Sequence, residues 1–105
     1  MPAKTPRQIQ IESLLADSPD DEFLRYGYAM EFASIGDLES AVAHLRQLIA
    51  EKPYVPAYLQ AGQLLIQLDR PEEAAELLRA GIAVAREQGN DHAAAEMQSF
   101  LASIE

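Results

Sequence analysis

The residues able to carry chemistry are few. His44 and His92 are the only histidines in the 105 residues, and neither has a second histidine three or four positions away. His92 and Glu96 are four apart and share a face if that stretch is helical. With Asp91 beside them they are the nearest approach to a metal-ligand set. The plainer reading is an ion pair at the start of a helix, and that is the expectation. No cysteine is present, which removes thiolate nucleophiles, disulfides and thiolate metal sites. The five glycines stand apart, so no glycine-rich phosphate loop forms. Ser13, Ser18, Ser34, Ser40, Ser99 and Ser103 lie in no nucleophile-elbow context. Acid pairs abound, as any chain with 17 carboxylates supplies them, and none is marked for acid–base work. The expectation is a protein that is not an enzyme, with no catalytic residue, metal or cofactor.

Net charge reinforces this. The balance of 17 acids and 8 bases gives −9, a field that repels nucleic-acid phosphates and anionic lipid. Lys4, Arg7, Arg25, Arg46, Lys52, Arg70, Arg79 and Arg86 are scattered rather than gathered into a basic patch. No leader-type apolar run follows the start MPAKTPRQIQ, and no stretch approaches the ~18 apolar residues of a membrane span. The cytoplasm is the expected location, with no nucleic-acid or membrane partner. Apolar residues at 49% are ample for one core in a chain of this size.

Stepping along the punctuation gives six helices and no strand. Thr5-Pro6 signals a first helix over 6–18, with Ile9, Ile11, Leu14 and Leu15 as its apolar residues. Ser18-Pro19 repeats the signal, and Asp20, Asp21 and Glu22 of DSPDDE fall in the first turn of a second helix, where carboxylates suit the dipole. Leu24, Tyr28, Phe32 and Ile35 mark its apolar face. Gly36 then ends that helix and Asp37 caps a third, which stops before Pro53. Pro56 opens a fourth. DRPE (69–72) reads as a capping box for a fifth that runs to Gly89, and Asn90-Asp91 caps the last, over 91–104.

One segment is written twice. ESAVAHLRQLIA (39–50) returns 33 residues later as EEAAELLRAGIA (72–83), identical at six of twelve positions. A fixed period of this length means a supersecondary unit stacked on its copies. The pattern resembles the tetratricopeptide repeat. Repeat 1 covers 22–54, with Tyr28-Ala29, Phe32, Gly36-Asp37, Ala41, Leu45 and Pro53 in the motif positions. Repeat 2 covers 55–87, with Tyr58, Ala61-Gly62, Leu65, Ala74, Leu78 and Gly81 in register. Arg25 departs from the family's aromatic slot, and the second copy lacks its closing proline. LADSP (15–19) matches IAEKP (49–53), so the first helix reads as the second half of a truncated repeat and the last as a capping helix.

The resemblance implies an all-α, right-handed superhelix of antiparallel helix–turn–helix units, about six helices in all. It also implies a non-catalytic protein-interaction module whose first helix in each repeat lines a concave groove. The groove residues would be Tyr26, Met30, Ala33 and Ser34 from the second helix, Leu59, Gln60, Gln63 and Gln67 from the fourth, and Glu96 with His92 from the last. The Lys, Asn and Arg carboxylate clamp of some relatives is not carried over. The expected partner is therefore a neutral or mildly basic peptide or helix. Two alternatives stand beside it: a homodimer formed through the same surface, and a small-ligand or metal-binding regulator resting on His92.

Overall fold

The computed structural model describes residues 3–105; Met1 and Pro2, at the head of the stretch searched for a leader, lie outside them. Six helices follow one another: α1 Pro6–Asp17, α2 Glu22–Ser34, α3 Leu38–Glu51, α4 Val55–Gln67, α5 Pro71–Glu87 and α6 Asp91–Ala102. No strand occurs among the described residues. Each helix packs on its neighbours in the chain, and α4 also meets α6. That order of contacts is what short connections impose on stacked hairpins.

The helix boundaries follow local chemistry. The Thr5 hydroxyl accepts from Gln8 N at 3.0 Å while Thr5 N donates to Gln8 Oε1 at 2.8 Å, a reciprocal capping box. Asp37 caps α3 through Ser40 N, and Asn90 caps α6 through Ala93 N. Gly36 and Gly89, at φ +83° and +73°, take the left-handed conformation that lets the chain reverse after α2 and α5.

Two expected caps are corrected. Ser18 ends α1 rather than starting α2; Asp21 is the cap, accepting from Leu24 N at 2.9 Å, and Asp20 stays outside the helix. DRPE does not form a capping box. Asp69 sits at φ +59°, closing α4 in the role a glycine usually fills, and α5 begins at Pro71 with no side-chain cap. An aspartate there is tolerated because its short side chain fits the left-handed region better than most.

The core confirms the repeat. Ala41 and Ala74 are wholly buried, as are Leu45 and Leu78. A Cβ built on Gly62 would stand 2.5 Å from Leu78 Cδ2, so α4 and α5 touch through a residue with no side chain. Gly81 is more confined: its Cβ would lie 2.6 Å from both Tyr58 Cβ and Met97 Sδ, between α4 on one side and α6 on the other. The two identical arginines of the repeated segment serve the outside. Arg46 reaches Glu73 at 3.1 Å and Arg79 reaches Glu105 at 2.9 Å, partners 27 and 26 residues further along the chain. Such exposed pairs contribute at most about 1 kcal/mol each.

The first helix departs most from expectation. Ile9 is 56% exposed and contributes nothing to the core, and Leu14 is 47% exposed. Ile11 and Gln8 are the buried residues, Gln8 at only 2% exposure. The junction with α2 is largely polar: Tyr28 donates to Glu12 at 2.6 Å, Thr5 Oγ1 donates to Glu31 at 3.0 Å, Lys4 pairs with Glu12 at 2.7 Å, and Arg7 approaches Glu31 at 3.6 Å. Ile35, expected on the face of α2, is exposed at its C-terminus.

Candidate functional site

The face shared by α2, α4 and α6 carries the sequence-derived groove residues. Tyr26 and Met30 are half-buried on α2 and pack against the core, while Ser34 is exposed one turn beyond Met30. The Tyr26 ring meets Tyr54 at a centroid distance of 5.6 Å and a 58° tilt, an aromatic contact that ties α2 to the start of α4. Burial raises the Tyr26 phenol above its ordinary pKa, the neighbouring Tyr54 adds to this, and the Gln60 amide opposes it. Tyr26, Tyr54 and Gln60 are therefore one cluster, with the phenol neutral.

On α4, Leu59, Gln60 and Gln63 are half-buried and Gln67 is exposed. Gln63 and Gln67, one turn apart, stand over a depression of about 310 Å³ whose other walls are Ile66 and Phe100. Phe100 is a functional candidate that the sequence reading did not single out. The signal was there: one repeat period of 33 places Phe100 at the position of Gln67. Glu96 lies at the corresponding position to Gln63 and is exposed. Its Oε1 lies 3.3 Å from His92 Nε2 across one helical turn, both side chains on the surface. Among the described residues no group of three or more metal-ligating side chains converges.

The surface is accordingly apolar at its floor and amide-lined at its rim. It offers aromatic and thioether groups that can exclude water, and carboxamides that both donate and accept. No side chain there is placed as a nucleophile with a base beside it.

A second polar cluster sits where α1, α2 and α3 meet, around a cavity of about 330 Å³ lined by Arg25, Tyr28, His44 and Glu51, among others. Arg25 grips Glu51 with two nitrogens at 2.9 and 3.4 Å, so the arginine in the family's aromatic slot bridges α2 to the end of α3. His44 stacks on Phe32 at 4.8 Å with the rings 9° apart, and its pKa is lowered by burial, partly offset by Asp37. Tyr28 is pushed up to about 12 by burial and by the hydrogen bond to Glu12. Glu12 is lowered in turn by its bonds to Lys4 and Tyr28. These shifts are those of a satisfied structural network, with the ionised and neutral partners already matched.

Among the described residues no helix is long and apolar enough to cross a membrane. Comparison with known proteins agrees with the geometry. The tetratricopeptide repeat profile matches residues 55–88. A TPR repeat-containing protein of Pseudomonas aeruginosa is 27% identical over 96 residues, covering 90% of this chain and 91% of that one. A protein of Bordetella parapertussis solved in solution is 24% identical and superposes with a TM-score of 0.80, over 96% of this chain and 89% of its own. The solution structure of a tetratricopeptide repeat domain protein from Salinibacter ruber is 34% identical, with a TM-score of 0.78 over 83% of this chain and 89% of that chain. With that identity over nearly all of a solved relative, and with two stacked copies of the helical hairpin on the page, the chain belongs to the tetratricopeptide repeat family.

Proposed function

We propose that this protein is a non-catalytic interaction module that holds a partner's peptide or helix on the face of α2, α4 and α6. Tetratricopeptide repeats generally mediate contacts between proteins, and the finer assignment rests on one observation. Gln63 and Gln67 flank an open depression with an apolar floor of Ile66 and Phe100. Apolar side chains of a partner displace water from that floor, and the amides fix register by hydrogen bonds to its backbone. Met30 and Leu59 extend the apolar area, and Tyr26 with Gln60 forms a second polar point toward α2. Glu96 and His92 stand at the far edge, where Glu96 favours a partner that is neutral or mildly basic.

Two repeats offer a modest footprint, so a dissociation constant of about micromolar magnitude is expected. The test is co-purification with wild type against a Gln63→Glu/Gln67→Glu variant whose helicity matches wild type by circular dichroism. Proteins held by wild type and released by the variant place the partner on this face. An unchanged set of retained proteins refutes the assignment.

A further inference from the structure

The repeat geometry exposes a gap at the other end of the molecule. Gly81 on α5 is enclosed from two sides, by Tyr58 of α4 before it and Met97 of α6 after it. The matching residue on α3, Leu48, is fully buried. The matching residue on α1 is Leu14, by the 34-residue correspondence of LADSP with IAEKP. It lies on the helix that packs against α2, and it is 47% exposed. Beside it lies a largely apolar pocket of about 190 Å³ lined by Ile11, Leu14, Phe23, Leu24 and Gly27, with Arg7 and Gln10 of the α1 stripe completing its wall. Phe23 is not filling that pocket. Its ring stands at 71% exposure, the most exposed large apolar side chain among the described residues.

A protruding aromatic next to an empty apolar hole on the same face is a self-complementary surface. An isologous two-fold contact requires such a patch, since each copy must supply both knob and hole. The charges select the same arrangement. Arg7, Gln10, Leu14 and Asp17 are all exposed and fall at spacings of three, four and three residues, which forms one stripe along α1. Lys4 and Arg7 lie at one end, and Asp17, Asp20 and Asp21 at the other. The two ends are separated by roughly 15 Å at 1.5 Å per residue. A two-fold axis through the middle of the stripe sets Arg7 of each copy against Asp17 of the other and Gln10 against Leu14. Gly27 leaves room for the incoming ring: its nearest non-local neighbour, Ile11 Cδ1, would be 3.9 Å from an added Cβ.

We infer that the α1–α2 edge is a homodimer interface in which two copies pack antiparallel, Phe23 of each entering the apolar pocket of the other and the basic end of each α1 meeting the acidic end of its mate. The patch is about two helices wide and three turns long, which puts it at the small end of specific interfaces and makes the dimer reversible. This edge is distinct from the α4–α6 depression, so the dimer and the partner-binding reading stand or fall separately.

Sedimentation velocity over roughly a hundredfold range of concentration reads the equilibrium directly. Wild type is expected to move from monomer toward twice the mass, with weaker association at high salt as the end charges are screened. Phe23→Glu should stay monomeric throughout while keeping wild-type helicity, since its ring contributes little to the monomer core. Arg7→Glu and Asp17→Arg should each weaken association at least tenfold, because each homodimer then opposes like charges. An equimolar mixture of those two variants should recover it, because every cross-pair is again opposite in sign. Wild type monomeric at all concentrations overturns the inference. So does a dimer that survives Phe23→Glu, a mixture that fails to recover, or a dimer lost only in the Gln63→Glu/Gln67→Glu variant.

Discussion

Adding one methyl group at Gly81 is expected to lower stability, although the same change in an open helix raises it. In a helix interior, Gly→Ala is favourable by about 1 kcal/mol. At Gly81 the new Cβ would stand 2.6 Å from Tyr58 Cβ and from Met97 Sδ, where carbon contacts prefer roughly 3.5–4 Å. Tyr58 Cβ is rigidly attached to α4, so α4 and α5 must separate by about 1 Å or Met97 must leave its site. Overpacking of that kind costs about 1–3 kcal/mol beyond the intrinsic preference. Two contacts at 2.6 Å place the cost in the upper part of that range, about 2–3 kcal/mol, so after the ~1 kcal/mol of helix preference the net loss is about 1–2 kcal/mol, which at ~4–8 °C per kcal/mol for a domain near this size is a fall in Tm of roughly 5–15 °C. Two other glycines calibrate the argument. At Gly27 the added atom meets only Ile11 Cδ1 at 3.9 Å, so Gly27→Ala should stabilise by about 0.5–1 kcal/mol. At Gly62 it meets the movable end of Leu78 at 2.5 Å, so Gly62→Ala should fall between the other two. Thermal and denaturant unfolding followed by circular dichroism rank the three. If Gly81→Ala melts at or above wild type, or Gly27→Ala below it, the close approach of α5 to its neighbours is refuted.

Ala41→Leu and Ala74→Leu should each destabilise by about 1–3 kcal/mol, since both sites are wholly buried at helix crossings; denaturant midpoints unchanged in both would contradict the packing. His44 has a folded pKa below its ordinary 6.5, so its contribution is complete above pH 6.5 and is lost as pH falls through the folded value. His44→Leu, which installs the residue of the second repeat, should therefore flatten the stability profile on the acid side of pH 6.5, as read by urea midpoints. Tyr28 has the opposite sense: its folded pKa near 12 exceeds the ordinary 10, so its contribution is intact below pH 10 and lost as pH rises toward 12. Tyr28→Phe should lose stability at neutral pH and show a shallower alkaline decline than wild type.

The interior of the repeats was legible because their chemistry is local and periodic. Ala41 and Ala74, Leu45 and Leu78, and the left-handed Gly36 each follow from spacing alone, and each stands as read. The misread features depend on what lies across a gap. Ile9 carries the right residue type, yet α1 has a neighbour on one side only, so a single face of it is covered. Ser18-Pro19 and DRPE look like starts in one dimension, whereas Asp21 and the left-handed Asp69 won once the loops had to turn in three. The glutamines of the fourth helix were legible as one face, with Gln63 and Gln67 one turn apart. Phe100, beside Gln63 and Gln67, did not stand out although the 33-residue period aligns it with Gln67, because an apolar residue on an amphipathic helix reads first as core.

One consequence of the chain-order packing concerns length itself. Apart from the meeting of α4 with α6 and the contact of Tyr26 on α2 with Tyr54 and Gln60 at α4, the helices pack on their immediate neighbours in the chain. A third hairpin copied from 55–90 and spliced in after Asn90 would keep the Gly89 reversal, present to α6 the same α5 surface it already rests on, and itself rest on the original α5. The number of hairpins is thus a free parameter of the architecture. Lengthening the array would widen the face shared by α2, α4 and α6 step by step while reproducing the same kinds of junction.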